Sequence, residues 1–161
     1  MPRTDTAVRM IRADPARVYA AFVDPAALAR WLPPEGMAGG FERFDARPGG
    51  GYRMVLRYLE DAGAGKTSSD TDVVEARFVE LIAGERVVQE VDFVSDDPAF
   101  AGTMRMTWSV APDPVGNRVE IRAENVPSGI SAVDHAVGLA SSLAGLAHYL
   151  EAEPGGIDEE A

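Results

Sequence analysis

Leu139, Leu143, Leu146 and Leu150 recur at i, i+4, i+7 and i+11, which places one apolar stripe on a single long helix spanning roughly residues 131–152. That stripe must be buried, and the small residues around it, among them Gly138, Ala140, Ser142, Ala144, Gly145 and Ala147, let the helix lie close to whatever covers it. Most of the chain before it reads as strands. A curled sheet is therefore the only large apolar surface available to receive the stripe, and twisted strands wrap readily around one helix.

The strands follow from alternation. TAVRMIRA (6–13) is the first. Asp14-Pro15 and Asp24-Pro25 then each read as an N-cap followed by a proline at the first helical position, predicting two short helices. The second carries Leu28 and Trp31 and ends at Pro33-Pro34, which cannot donate helical hydrogen bonds. GFERFDA (40–46) follows a Gly pair, and Pro48 with Gly49 to Gly51 reverses the chain into YRMVLRY (52–58). There Tyr52, Met54, Leu56 and Tyr58 share one face and Arg53, Val55 and Arg57 the other.

Residues 60–72 are polar and read as a long loop. VVEARFVELI (73–82), RVVQEVDFV (86–94), TMRMTWSVA (103–111) and RVEIRAENV (118–126) complete the strands. Val87, Gln89, Val91 and Phe93 form one face of their strand, and Met104, Met106, Trp108 and Val110 one face of theirs. Short connections make the sheet antiparallel, with about seven strands. The fold class is α+β, with one domain over 1–153 and an acidic, flexible tail over 154–161.

Composition removes several function classes. The chain has no Cys, so disulfides, zinc–thiolate sites and cysteine nucleophiles are excluded. Its net charge of −11 disfavours nucleic acid and anionic membrane surfaces as partners. No apolar run is long enough to span a membrane, and the N-terminus lacks a signal-peptide core, so a cytoplasmic location is expected.

Three segments resemble the helix-grip fold of the START-like (SRPBCC) superfamily. ADPARVYAAFVDPAALARWLPP is similar to its strand-exit, double-helix opening. GGFERFDARPGGGYRM is similar to its D-x-R-x-G-G hairpin, here Asp45, Arg47, Gly49 and Gly50. NVPSGISAVDHAVGLASSLAGLAHYLE resembles the final helix of bacterial proteins related to the activator of the heat-shock-90 chaperone ATPase. The resemblance covers essentially the whole chain. It implies a small-ligand carrier, a module that docks on a chaperone, or an enzyme of the polyketide cyclase or aromatase kind.

Recognisable catalytic motifs are missing. GAGKTS (63–68) lacks the first Gly of a phosphate-binding loop, since Glu60 stands there, and a strand rather than a helix follows it. His135 and His148 are thirteen residues apart on one helix, so roughly 140° apart around it, and cannot share a metal. Ser141 and Ser142 sit inside a helix without a nucleophile elbow. Glu90 and Asp92 lie on the strand face opposite Val87 and Val91, which reads as a solvated outer side. No catalytic residue, metal or cofactor is expected.

What the pattern does support is a pocket between sheet and last helix for a small apolar or amphipathic molecule. Trp31, Tyr52, Met54, Leu56, Gln89, Phe93, Met104, Met106, Trp108, His135, Leu139 and Leu143 are its expected lining. The Met side chains give adaptable walls, and Tyr52, Gln89 and His135 give a few polar contacts. A core filled by its own side chains is the competing reading, as is a purely structural Trp31. An enzyme would draw on Tyr52, Tyr58 or His135 as the proton-transfer group. Monomer and homodimer remain equally open, since a sheet edge can pair.

Overall fold

A computed structural model describes residues 3–33, 36–59, 71–114 and 116–152. Strand β1 (Thr4–Ile11) leads into helices α1 (Pro15–Phe22) and α2 (Pro25–Trp31). Strands β2 (Met37–Phe44), β3 (Gly51–Tyr58), β4 (Thr71–Ile82), β5 (Arg86–Phe93), β6 (Met104–Asp113) and β7 (Gly116–Glu124) follow, and helix α3 (Ala132–Ala152) closes the chain. The GAGKTS segment, residues 60–70 of the expected loop and the 154–161 tail lie outside the described residues. No described helix is long and apolar enough to cross a membrane.

Both proline-opened helices form where the Asp-Pro pairs place them, but the caps differ. Asp24 Oδ1 accepts from the Ala26 N–H at 3.0 Å. Asp14 stands at the same position before α1 and makes no side-chain cap bond. The seven strands form one antiparallel sheet in the order β1-β7-β6-β5-β4-β3-β2. Thus β1 and β2 are opposite edges, and α1 and α2 carry the chain from one to the other.

Two strands are longer than alternation predicts. β2 begins at Met37 because Met37, Ala38 and Gly39 pair with Tyr58, Arg57 and Leu56. β4 begins at Thr71 because Thr71 and Asp72 pair with Arg57 and Leu56. Backbone pairing with β3 overrides the glycines in one case and the polar composition in the other. At the β3 entrance Gly51 is required: a Cβ there would lie 2.1 Å from the Ala76 carbonyl oxygen.

Register stacks the inner-face residues in rows across the sheet. Tyr52, Ala76, Val91 and Met104 form one row; Phe78, Gln89, Met106 and Ala123 form the next; Val87, Trp108, Ile121 and Ala7 form a third. The leucine stripe of α3 closes over this face, with Leu139, Leu143, Leu146 and Leu150 all buried. The helix seats on β1 and α2 more than on the middle strands. Ser142 Oγ donates to the Leu32 carbonyl at 2.6 Å, and a Cβ on Gly145 would come within 2.9 Å of the Trp31 carbonyl oxygen. The small residues of α3 therefore permit close approach to α2.

Candidate ligand-binding face

The aromatic end of the inner face is packed. Trp31 touches Trp108 edge-on at 5.4 Å between ring centroids, and Phe22 contacts both indoles. The Trp31 Nε1–H donates to the Ala21 carbonyl at 2.9 Å, which ties α2 to α1. Trp31 is thus a fully buried junction residue between the two helices and the sheet.

The polar part of the face begins on the adjacent strand, β5. Tyr52 on β3 reaches across β4 and donates its hydroxyl to Gln89 Oε1 on β5 at 2.6 Å. Both residues are buried. Burial pushes the Tyr52 phenol well above its ordinary value, because the phenolate would be stripped of water, so it acts as a donor and not as a base. The Gln89 Nε2 and the Trp108 Nε1, also buried, have no hydrogen-bond partner among the described residues.

The expected lining residues separate into groups. Trp31, Tyr52, Met54, Met104 and Trp108, with Leu139 and Leu143 from α3, are buried in one continuous apolar cluster, and Gln89 is buried against Tyr52. Leu56, Phe93 and Met106 pack against it and keep partial exposure, so they mark where the interior meets solvent. His135 sits apart at the β1 edge: its Nδ1 lies 2.7 Å from Asp5 Oδ2. Asp5 also accepts from Arg3 at 3.0 Å, and Arg3 donates to the Ile130 carbonyl at 2.6 Å. Burial alone would raise the Asp5 carboxyl. The hydrogen bonds and positive charge of Arg3 and His135 outweigh it and hold Asp5 below its ordinary value. This group latches the start of α3 to β1.

Sequence reasoning missed one inner-face residue. Asp72 pairs with Leu56 in the β3–β4 ladder, is 2% exposed, and accepts from the Tyr58 hydroxyl at 3.3 Å. It falls at the end of a polar run, where alternation carries no signal. It is the one buried charged side chain among the described residues. Among those residues no group of three or more His, Asp or Glu side chains is placed to hold a metal ion.

Two hollows open elsewhere. One of 420 Å³ lies along β2 and β3 and includes Ala38, Gly40, Glu42, Val55 and Arg57, which point away from the core. The other, of 320 Å³, lies at the β2–β3 hairpin around Asp45, Gly49 and Arg77. Glu90 and Asp92 lie on the outer side as alternation predicts, each paired with Arg77, at 3.4 and 3.0 Å.

The fold, the crossing helices and the gripped C-terminal helix agree with a family model described as "Activator of Hsp90 ATPase homolog 1-like protein", which matches residues 12–151. The chain belongs to this family. A crystal structure of a Chromobacterium violaceum protein is similar to it at 36% identity, with a TM-score of 0.81 over 92% of this chain and 96% of that one. A solution structure from Arthrobacter aurescens shares the fold at 17% identity, TM-score 0.77, covering 94% of this chain and 88% of that one. DynU16, a protein of the dynemicin biosynthetic locus, shares it at 15% identity and TM-score 0.66, with 92% of this chain matching 47% of that one. No curated protein matches the sequence.

Proposed function

We propose that this family member binds a small apolar or amphipathic molecule, in the cytoplasm, between the inner face of the sheet and α3. The observation that carries the reading is the Tyr52–Gln89 pair, a polar device fixed at 2.6 Å in a face that is otherwise largely apolar. An apolar wall with a few fixed polar groups is how small-molecule sites are composed. Met54, Met104 and Met106 can shift rotamer to admit a guest, and Leu56 and Phe93 stand at the rim.

Thermal melting with a panel of fatty acids, naphthalenes and steroids tests this. A binder raises the melting temperature in proportion to the logarithm of its concentration above Kd. Stabilisation by at least one apolar compound is expected. A melting temperature unmoved by every compound at saturating concentration contradicts the reading.

A second reading follows the family description: docking on a heat-shock-90 chaperone. Val133 and Val137, one turn apart on α3 and 74% and 66% exposed, are the apolar contacts it would use, and the net charge of −11 would steer it to a basic patch. Salt-sensitive co-precipitation with the chaperone and a change in its ATPase rate are the expected results. Neither effect with purified components rejects it.

A further inference from the structure

Gln89 and Trp108 lie on adjacent strands and the same face. Gln89 is opposite Met106 and Trp108 is opposite Val87, so the two are diagonal neighbours. They are 0% and 1% exposed. Each ends in an N–H group with no partner among the described residues. Buried side-chain donors are usually paired, and those that are not point to an unmet ligand or a strained site.

Orphaned donors are not how this fold treats its polar groups in general. The other indole, Trp31, donates to Ala21 at 2.9 Å. Nor does turning the Gln89 amide around remove the problem. With Oε1 facing Tyr52, the phenol hydrogen is used and only Nε2 is left over. With Nε2 facing Tyr52, the phenol hydrogen would lose its acceptor. Tyr52 therefore holds the amide with its N–H groups turned away from the phenol.

The chemistry of the missing partner follows. An indole nitrogen can only donate, and so can an amide nitrogen, so the partner must offer acceptors. A carboxylate or phosphate would also accept. However, no Lys or Arg is buried among the described residues, and the one buried residue of a charged type is an acid, Asp72. An anion there would be uncompensated. We infer that the interior face takes a neutral molecule with an apolar ring body and carbonyl-type acceptor oxygens, which receive hydrogen bonds from Gln89 Nε2 and Trp108 Nε1. This rests on the carrier reading above and narrows it to a ligand class.

Three matched probes test it by isothermal titration: 1-ethylnaphthalene, 1-acetonaphthone and 1-naphthoate. The first two differ essentially by the carbonyl oxygen. The wild-type protein should bind the ketone about tenfold more tightly than the hydrocarbon, the ratio expected when one or two net hydrogen bonds form, and should bind the carboxylate more weakly than the ketone. Trp108→Phe and Gln89→Met should each bring the ketone-to-hydrocarbon ratio toward one while leaving hydrocarbon binding largely intact. Trp108→Phe keeps an aromatic ring and leaves the Tyr52–Gln89 bond in place, so it remains informative if Gln89→Met does not fold. Equal binding of ketone and hydrocarbon by the wild type overturns the acceptor inference and leaves the carrier reading standing. Tightest binding of 1-naphthoate overturns the neutrality of the ligand. Binding of none of the three overturns both.

Discussion

The two faces of this one sheet treat polar groups in opposite ways. On the outer face charges are paired, mostly between neighbouring strands. Arg53 bonds to Glu42 at 2.8 Å and also pairs with Glu75; Arg77 meets Asp92; Arg86 meets Glu80 at 2.8 Å; within β7, Arg118 meets Glu120 at 2.9 Å. There water would satisfy any group left alone, so pairing is optional and adds little. On the inner face water is excluded and pairing is needed, yet two donors lack it among the described residues. The lesson is that an unpaired group is informative only where it is costly. The outer pairs carry no such information, and the two inner donors are what the proposed ligand site rests on.

The largest effect that separates the faces is Trp108→Ala. It should lower unfolding free energy by about 3–5 kcal/mol, the range for removing a buried aromatic. Urea denaturation measures it, and a loss under about 1 kcal/mol would show that the inner face is not packed as described.

A cycle on the polar pair comes next. Tyr52→Phe strips Gln89 of its remaining partner and should cost about 1–3 kcal/mol without ligand, whereas Tyr52→Phe with Gln89→Met should be close to neutral, because both ends of the bond and the orphaned amide go together. Additive losses in the double variant would remove the claim that Gln89 is held for something else.

A pH series probes the β1 edge. Asp5 is depressed below its ordinary 3.8, so it contributes stability that is full above that value and is lost as pH falls through its lower folded value. Wild type and Asp5→Asn should differ near neutrality and converge below pH 3.8. A gap that stays constant into acid would mean that Asp5 acts by packing alone. The smallest effect belongs to the outer face: Arg53→Met should change stability by about 0–1 kcal/mol, and less at high salt.

Much of the architecture is written in local patterns. Alternation marks every strand, the Asp-Pro pairs start α1 and α2, and the leucine stripe of α3 is read directly from spacing. Gln89 and Trp108 can be assigned to inner faces from alternation alone. Their partnerships cannot. The Tyr52–Gln89 bond spans 37 residues and the His135–Asp5 contact 130, and both depend on sheet order and register. Alternation gives parity within a strand but not which strand lies beside it. Asp72 escaped for a related reason: it lies in a polar run and becomes an inner-face residue only because β3 extends the ladder to meet it. The seat of α3 on β1 and α2 also required the fold, since a stripe states that it is buried and not by what.

The chain has two tryptophans, and they supply an internal control for the central claim. The indole N–H of Trp31 is already bonded to Ala21, while that of Trp108 has no partner among the described residues. Following both indole resonances by proton–nitrogen NMR while 1-acetonaphthone is titrated is the most direct measurement. The Trp108 signal should move downfield to saturation while the Trp31 signal stays near its starting position. A saturated complex in which the Trp108 signal has not moved downfield would contradict it.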